Sequence, residues 1–189
     1  MMQANRTRLL EILTHLSYQQ REVTLASGKK SNFYIDCKQT TLSAEGQILV
    51  GRLLYAKIRD YQQSQGISLA GVGGLTLGAD PIATAISMTS ALAGDPINAF
   101  IVRKEPKGHG TGAWLEGCDR FAEGSEVIVV EDVATTGGSA LKAVRRVRDA
   151  GYKVRLVLGL VDRLEGGRAA IEAEDLEFFS LFDRTDFPQ

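Results

Sequence analysis

The sequence predicts an α/β fold: a doubly wound parallel sheet flanked by helices, with a small N-terminal cap, or hood. The run VIVV at 127–130 is β-branched and lacks polar alternation, which is typical of a strand buried on both faces of a parallel sheet. Other apolar runs alternate with segments of helical periodicity, as doubly wound folds require. With 189 residues and 44% hydrophobic content, we expect one domain over 1–189. A chain of this length can bury about 70% of its unfolded surface.

Periodicity and turn residues predict each element in chain order. The cap is expected over about 1–40, from a helix at 5–16 and two short extended pieces at 23–25 and 33–37. Later helices are predicted at 44–63 with Ser43 as N-cap, at 81–92 between Pro81 and the breaker Gly94-Asp95-Pro96, and at 139–150, closed by Gly151. Later strands are predicted at 68–72, 99–103, 126–130 and 154–161.

Composition argues against several classes of function. A net charge of -1 and a pI near 6.2 disfavour a general nucleic-acid surface, which needs many uncompensated cations. No apolar stretch approaches the roughly 18 residues of a membrane span, and the N terminus has no secretory pattern. Cys37 and Cys118 lie far apart without a CxxC pattern, so we expect reduced thiols in a cytoplasmic protein.

The segment EVIVVEDVATTGGSAL at 126–141 joins the buried strand to the start of a helix. Ligands of open α/β sheets bind outside the carboxyl ends of the strands. Amides of the hydroxyl- and glycine-rich turn at 135–139, with a helix dipole behind them, suit a phosphate dianion. Glu131 and Asp132 would repel a phosphate that they touched, so we expect both to face hydroxyl groups, a metal ion or a developing positive charge. A sugar phosphate offers both kinds of partner.

Three other interpretations of this segment compete. A Walker B strand would need GxxxxGK[ST], which occurs nowhere in the sequence. A dinucleotide-binding fingerprint is disfavoured because GVGGLT at 71–76 fails GxGxxG at its last position. For the turn alone, an ordinary strand-to-helix connection, whose hydroxyls simply cap the helix, stays open.

A second segment is rich in positive charge. Its cationic or titratable members are Arg103, Lys104, Lys107 and His109. Glycines stand among and after them, at 108, 110 and 112. Such a run is usually a solvated loop. In a chain that also has a phosphate site, it predicts a loop that closes over the site and neutralises a polyanionic leaving group.

These residues resemble a known family. VIVVEDVATTGGS is similar to the phosphoribosyl-pyrophosphate (PRPP) signature of the type I phosphoribosyltransferases. FIVRKEPKGHG at 100–110 resembles the strand and mobile loop of the orotate phosphoribosyltransferase family, and SGKKSNFYID at 27–36 resembles that family's N-terminal segment. VDR at 161–163 extends the match. The resemblance implies a type I phosphoribosyltransferase-like fold. It also implies transfer of the phosphoribosyl group of PRPP to orotate, giving orotidine 5′-monophosphate and pyrophosphate in pyrimidine (UMP) biosynthesis.

The resemblance also implies site residues. Lys107 and Asp132 match catalytic positions, whereas Tyr34, Thr135 and Arg163 match orotate contacts. The implied PRPP contacts are Arg103, Lys104, Lys107, His109, Glu131, Asp132, Val133, Ala134, Thr135, Thr136, Gly137, Gly138 and Ser139. No protein ligand for a metal is expected, because Mg²⁺, the implied cofactor, binds through PRPP and water. The family's usual homodimer with shared active sites is implied, without a nucleic-acid or membrane partner.

Three positions depart from the family pattern. Ala26 and Gly78 stand where some members have lysines that contact the donor, and Ile35 replaces an aromatic residue. In the loop LTLGADP at 75–81, backbone amides and Thr76 could replace the missing charge. Two functional alternatives stay open: a PRPP-binding regulatory module, since this fold also serves in regulators, and a phosphoribosyltransferase that acts on another base.

Overall fold

The computed structural model describes residues 2–24, 30–106 and 113–188, in which helices and strands alternate. The strands are β1 (Tyr18–Thr24), β2 (Lys30–Ile35), β3 (Gly71–Leu75), β4 (Asn98–Val102), β5 (Leu115–Glu116), β6 (Glu126–Ala134), β7 (Lys153–Asp162) and β8 (Glu177–Asp183). The helices are α1 (Met2–Ile12), α2 (Lys38–Thr41), α3 (Ala44–Gln65), α4 (Ala79–Leu92), α5 (Gly138–Asp149) and α6 (Gly167–Glu172), with a π-helical turn at Leu13–Ser17 and a 3₁₀ turn at Arg184–Asp186.

The main sheet has six strands in the order β5-β4-β3-β6-β7-β8. Neighbouring strands among β4, β3, β6, β7 and β8 pair in parallel. At one edge of the sheet, β5 pairs antiparallel with β4. The chain moves outward from β3 to β4 and then crosses to β6 on the other side of β3. The predicted doubly wound class is therefore confirmed, and the topological switch, where such folds bind ligands, lies between β3 and β6.

Helices cover both faces of this sheet. α3 and α4 pack in the core with Ile128 and Val130 of β6, while α5 and α6 pack with Val127 and Val129 on the opposite face. These four side chains are at most 1% exposed. The run has no polar alternation because both of its faces are buried, as the sequence predicted. None of the described helices combines the length and the apolar character that a bilayer span requires.

The hood consists of α1, the antiparallel β1-β2 hairpin and the C-terminal turn. Phe33 of β2 packs against Tyr18 and Phe187, with ring centroids 5.2 Å and 5.5 Å away. Its carbonyl oxygen accepts a 3.0 Å hydrogen bond from Arg163 Nη2, which follows β7. The aromatic cluster thus packs the parts of the hood together, and an arginine from the sheet edge joins the hood to the rest of the fold.

Two strands differ from prediction in a way that affects the site. β3 begins at Gly71 rather than at residue 68, and Gly73 lets it pack closely, because a Cβ there would lie 2.2 Å from the Phe100 carbonyl oxygen. β6 continues to Ala134 rather than ending at residue 130. Glu131 and Asp132 therefore lie inside the strand, where successive side chains point to opposite faces.

Other differences concern ends and short elements. α1 begins at Met2 and passes into a π-helical turn after Ile12, and β1 begins at Tyr18, whereas residue 25 lies outside the described residues. α2, β5, α6 and β8 were not predicted. The first three have six residues or fewer, which is too short to show a hydrophobic period. Ser43 is the N-cap of α3 as predicted, with its side chain accepting from the Gly46 amide at 3.1 Å.

Candidate active site

The segments that follow β3, β4, β6 and β7 meet at the carboxyl edge of the sheet. The Thr76 amide donates to the Val102 carbonyl oxygen at 2.9 Å and joins the segment after β3 to the end of β4. The Arg163 amide donates to the Ala134 carbonyl oxygen at 2.9 Å and joins the segment after β7 to the end of β6. Among the candidates in the described part of the chain, Arg103, Lys104, Arg163 and the residues at 131–139 lie on or beside these segments, so the fold brings them to one edge.

The turn between β6 and α5 encloses a pocket of about 290 Å³. The residues that line it are Glu131, Val133, Ala134, Thr135, Thr136, Gly137, Gly138 and Ser139. α5 begins at Gly138, so the positive end of the helix dipole faces the pocket. The exposed Thr136 and Ser139 add hydroxyl groups at its rim. The arrangement suits a phosphate group, as the sequence indicated.

Two glycines that are distant in sequence shape this turn. Gly137 adopts a φ of +80°, which other residues rarely do. Gly167, at the start of α6, packs so closely that a Cβ there would lie 2.6 Å from the Thr135 carbonyl oxygen. α6 therefore supports the phosphate turn from behind. The sequence analysis missed this support, although the Gly166-Gly167 pair was a visible signal of close backbone packing.

Glu131 is the buried member of the acidic pair, with 8% of its surface exposed. Burial, reinforced by the neighbouring Asp132, raises the pKa of Glu131 to about 9. Glu131 lines the same pocket as the phosphate turn, and the expectation that both acids face hydroxyl groups, a metal ion or a developing positive charge stays a prediction. Because the side chain is protonated at neutral pH, it can lie there without repelling an anion.

Asp132 is half-buried and lies on the other side of β6. Its Oδ1 accepts a hydrogen bond from the Val133 amide at 2.9 Å. Gly78 is in close contact, since a Cβ at that position would lie 2.4 Å from the Asp132 Cγ. A lysine at 78, as some family members have, would displace this carboxylate. The departure at Gly78 and the position of Asp132 are thus linked by packing.

A cation near Asp132 was missed by the sequence analysis. Lys38 Nζ forms a 2.5 Å ion pair with Asp36 Oδ1 just after the hood hairpin. The hydrogen bond to Asp36 raises the pKa of Lys38, and the charge of Asp132 adds to this effect. Cys37 lies between these residues in the sequence and is fully buried, and burial followed by the charge of Asp132 raises the pKa of its thiol. Asp36 is the last residue of the segment at 27–36 that resembles the family. Its position close to Lys38 in the sequence was the one available sign that Lys38 could lie near the site.

Of the four basic candidates, Arg103 and Lys104 belong to the described part of the chain, whereas Lys107 and His109 lie outside the described residues. Arg103 Nη1 forms a 3.1 Å ion pair with Glu116 Oε1, and Lys104 is exposed. Thr76, expected to replace missing charge, donates its hydroxyl proton to Asp80 Oδ2 at 2.5 Å. This hydroxyl is therefore already engaged as a donor by Asp80.

Of the three residues matched to acceptor contacts, Arg163 links the two segments that carry the other two. The Arg163 amide bonds to Ala134, directly before Thr135, and its guanidinium bonds to the Phe33 carbonyl, directly before Tyr34. The Arg163 side chain is 10% exposed and also pairs with Glu165 at 2.9 Å. The Arg21 guanidinium stacks on the Tyr34 ring at 3.9 Å. Arg163 thus joins the phosphate turn to the hood.

Named relatives of this chain match it over almost its whole length. No family model matches it. An orotate phosphoribosyltransferase from Thermosynechococcus vestitus is 49% identical over 181 residues, which cover 96% of this chain and 92% of that protein. One from Sorangium cellulosum is 45% identical over 184 residues, covering 97% of this chain and 93% of that protein. The chain belongs to the orotate phosphoribosyltransferase family.

Solved structures agree with this assignment. An orotate phosphoribosyltransferase from Mycobacterium tuberculosis, in complex with Fe(III) dicitrate, superposes with a TM-score of 0.80 at 42% identity, covering 96% of this chain and 98% of that one. The enzyme of that organism in complex with PRPP gives a TM-score of 0.75 at 41% identity with the same coverage. Adenine phosphoribosyltransferase from Trypanosoma brucei, at 14% identity and a TM-score of 0.68, shares the fold.

The raised pKa of Glu131 predicts how stability depends on pH. Its carboxyl is protonated in the folded protein up to about pH 9 and ionised in the unfolded chain above about pH 4.3. Its contribution is therefore complete below the unfolded pKa and is lost as pH rises towards 9. Glu131→Gln imitates the protonated form, so its melting temperature should rise above that of the parent protein progressively from pH 5 to pH 9.

Glu126→Gln, at the other end of β6, is the control for loss of a carboxylate from the same strand. Its difference from the parent protein should not grow with pH as that of Glu131→Gln does. A difference in melting temperature between Glu131→Gln and the parent protein that stays constant across this pH range would contradict the buried, protonated state of Glu131.

The positive φ of Gly137 predicts a second effect on stability. Gly137→Ala forces a side chain into the left-handed region and places its Cβ 3.1 Å from the Gly167 carbonyl oxygen. The free energy of unfolding should fall by about 1–2 kcal/mol. Gly138→Ala is the matched control, because its Cβ would meet Thr136 Oγ1 at an ordinary 3.7 Å. Equal losses in denaturant titrations of both variants would show that backbone strain is not the cause.

Proposed function

We propose that this protein transfers the 5-phosphoribosyl group of PRPP to orotate, forming orotidine 5′-monophosphate and releasing pyrophosphate in pyrimidine biosynthesis. The observation that carries the proposal is the phosphate pocket at the end of β6, which holds a buried acid, in a chain of the orotate phosphoribosyltransferase family. The complex of a 41% identical relative with PRPP supports the same donor. A purely regulatory PRPP-binding role is disfavoured, because the relatives are named as enzymes over almost the whole chain.

The donor's two ends call for different groups. We assign the 5′-phosphate to the turn at 135–139, where helix-end amides and hydroxyls face the 290 Å³ pocket. We assign the ribose hydroxyls to Glu131 and Asp132, which precede the turn in β6. As the bond to pyrophosphate breaks, positive charge develops on the ribose ring. The Asp132 carboxylate would stabilise that charge more strongly in the transition state than in the ground state, which accelerates the reaction.

The leaving pyrophosphate gains negative charge in the same step. Arg103, Lys104, Lys107 and His109 are the proposed partners for it, with Lys107 as the catalytic cation. Among the described residues, no group of three His, Cys, Asp or Glu side chains is placed to hold a metal ion. We propose that Mg²⁺ binds through PRPP phosphates and water and neutralises part of their charge, because that ion needs few protein ligands.

The acceptor is proposed to lie between the phosphate turn and the hood. Arg163 is central, because its main chain is fixed to Ala134 and its guanidinium to Phe33. A guanidinium suits the planar carboxylate and ring carbonyl of orotate. Thr135 and Tyr34 are neighbours of the two bonded residues, so they would complete the pocket. Orotate would thus be held next to the anomeric carbon of the donor.

The domain organisation, the homodimer and the cellular location expected from the sequence are also proposals. One domain over 1–189 is supported by a core in which Leu9 and Phe33 of the hood join Ile128 and Leu158 of the sheet. A homodimer with shared active sites is proposed from the family, and a cytoplasmic location stays a prediction.

The function is tested by supplying the purified protein with PRPP, Mg²⁺ and one base at a time while measuring pyrophosphate release. Orotate should support release, whereas uracil, adenine and hypoxanthine should not, because they lack the carboxylate that Arg163 would recognise. A reaction without Mg²⁺ and one without base are the controls. Release with a different base would reassign the acceptor, and no release with any base would remove the enzymatic proposal.

Shared sites predict rescue between inactive subunits. Lys107→Ala and Asp132→Asn should each be nearly inactive as homodimers, because every site lacks one essential group. In a mixed dimer, one site combines both intact residues if Lys107 serves the partner's site, so about half of the parent activity should return. Heterodimers can be isolated with two affinity tags and verified by mass spectrometry. Verified heterodimers that stay inactive would indicate a site built within one chain.

A further inference from the structure

Arg146 of α5 reaches the start of the basic segment. Its Nη1 donates a short hydrogen bond to the Arg103 carbonyl oxygen, and its Nη2 donates to the Lys104 carbonyl oxygen at 3.0 Å. Both acceptors are backbone atoms of residues proposed to bind the leaving group. A planar guanidinium with fixed donors is well suited to hold two successive carbonyls.

Arg146 also contacts the other end of that segment. Its guanidinium carbon lies 3.8 Å from the centroid of the Trp114 ring. The Trp114 carbonyl oxygen in turn accepts a 2.9 Å hydrogen bond from the Arg103 amide. One side chain therefore contacts residues on both sides of positions 107–112. We call Arg146, Trp114 and the carbonyls of Arg103 and Lys104 the α5 clamp.

We propose that Arg146 is a positioning residue of the donor site, which fixes the backbone of Arg103 and Lys104 at a set distance from the phosphate turn. α5 begins at Gly138, in the turn itself, and carries Arg146 further along, so a single helix connects the two regions. Without the clamp, PRPP would have to order the Arg103–Lys104 backbone as it binds, which weakens binding. The inference rests on the proposed function, because it assumes that these residues meet PRPP.

Neighbouring arginines on α5 provide a matched control. Arg145 Nη2 pairs with Glu174 Oε1 at 3.4 Å, and Arg148 pairs with the same carboxylate at 3.5 Å. The Arg145 side chain is 67% exposed. Arg145→Ala therefore removes the same charge from the same helix without touching the clamp.

The clamp can be observed without any substrate. Trp114 is the single tryptophan of the chain, so fluorescence excited beyond the absorption band of tyrosine reports on it alone. Arg146→Ala should shift the emission to longer wavelength and raise the acrylamide quenching constant by about twofold, because the ring loses the cation that covers one face. Arg145→Ala should leave both quantities unchanged. Because this measurement needs no catalysis, it tests the clamp even if the proposed function fails.

Kinetics test the positioning role. Arg146→Ala should raise KM for PRPP by about tenfold, the order expected from two hydrogen bonds and one cation–π contact. It should change KM for orotate by less than about twofold, because the acceptor residues lie elsewhere. Arg146→Lys should keep the emission and quenching of the parent protein but should still raise KM for PRPP in part. An ammonium group does not match the guanidinium's two-pronged geometry. This variant also keeps the test valid if Arg146→Ala fails to fold.

A double-mutant cycle closes the test. Trp114→Leu should raise KM for PRPP by itself. In the Arg146→Ala/Trp114→Leu protein, the rise in KM should be smaller than the product of the two single rises, because both substitutions remove the same contact between Arg146 and Trp114. The proposal is overturned if Arg146→Ala leaves KM for PRPP and Trp114 quenching unchanged, or if Arg145→Ala has equal effects. A parent protein without activity towards PRPP would instead refute the proposed function.

Discussion

The site depends on burying an acid beneath an anion-binding turn. Glu131 lines the same pocket as the helix-end amides, a position that would be unfavourable for a carboxylate facing phosphate. Burial removes the conflict, because it raises the pKa of Glu131 to about 9 and keeps the side chain neutral at physiological pH. A neutral side chain can therefore lie in the pocket that we assign to the 5′-phosphate of the donor.

The continuation of β6 through Ala134 makes this possible. Alternation along a strand sends Glu131 to the face covered by α5 and Asp132 towards Gly78 and Lys38. The two adjacent acids thus have different surroundings. Glu131 is buried away from solvent, whereas Asp132 is half-buried and interacts electrostatically with Lys38. Different surroundings for neighbouring carboxylates are what allow one to be neutral while the other serves as a charge.

Local sequence predicted the parts of the site that are continuous in the chain. The β-branched run, the acids and the glycine-rich turn at 126–141 predicted the buried strand and the turn that lines a pocket at its end. The family resemblance implied acceptor contacts at Thr135, Arg163 and Tyr34, and Arg163 links the segments that carry the other two. Strand ends were harder to predict, because side-chain chemistry alone did not indicate whether the acids end the strand or continue it.

Contacts between distant segments could not be predicted in this way. Gly167 supports the Thr135 carbonyl, and the charge of Asp132 influences Lys38, only because separate elements pack together. Arg146 looked like any basic residue in the last turn of a helix, where such charges favour the dipole. These roles depend on three-dimensional packing, for which a single sequence carries little signal.

The attachment of the hood has a consequence for how specificity can diversify. Donor-side groups belong to the sheet edge, whereas Tyr34 belongs to a separate hairpin that meets the edge at the Phe33 carbonyl and Arg163. Remodelling of that hairpin would reshape the space for the nucleobase and leave the sugar-phosphate cradle unaltered. The hood's share of the proposed acceptor space can therefore change independently, while Thr135 and Arg163 stay fixed to the sheet edge that we assign to the activated ribose.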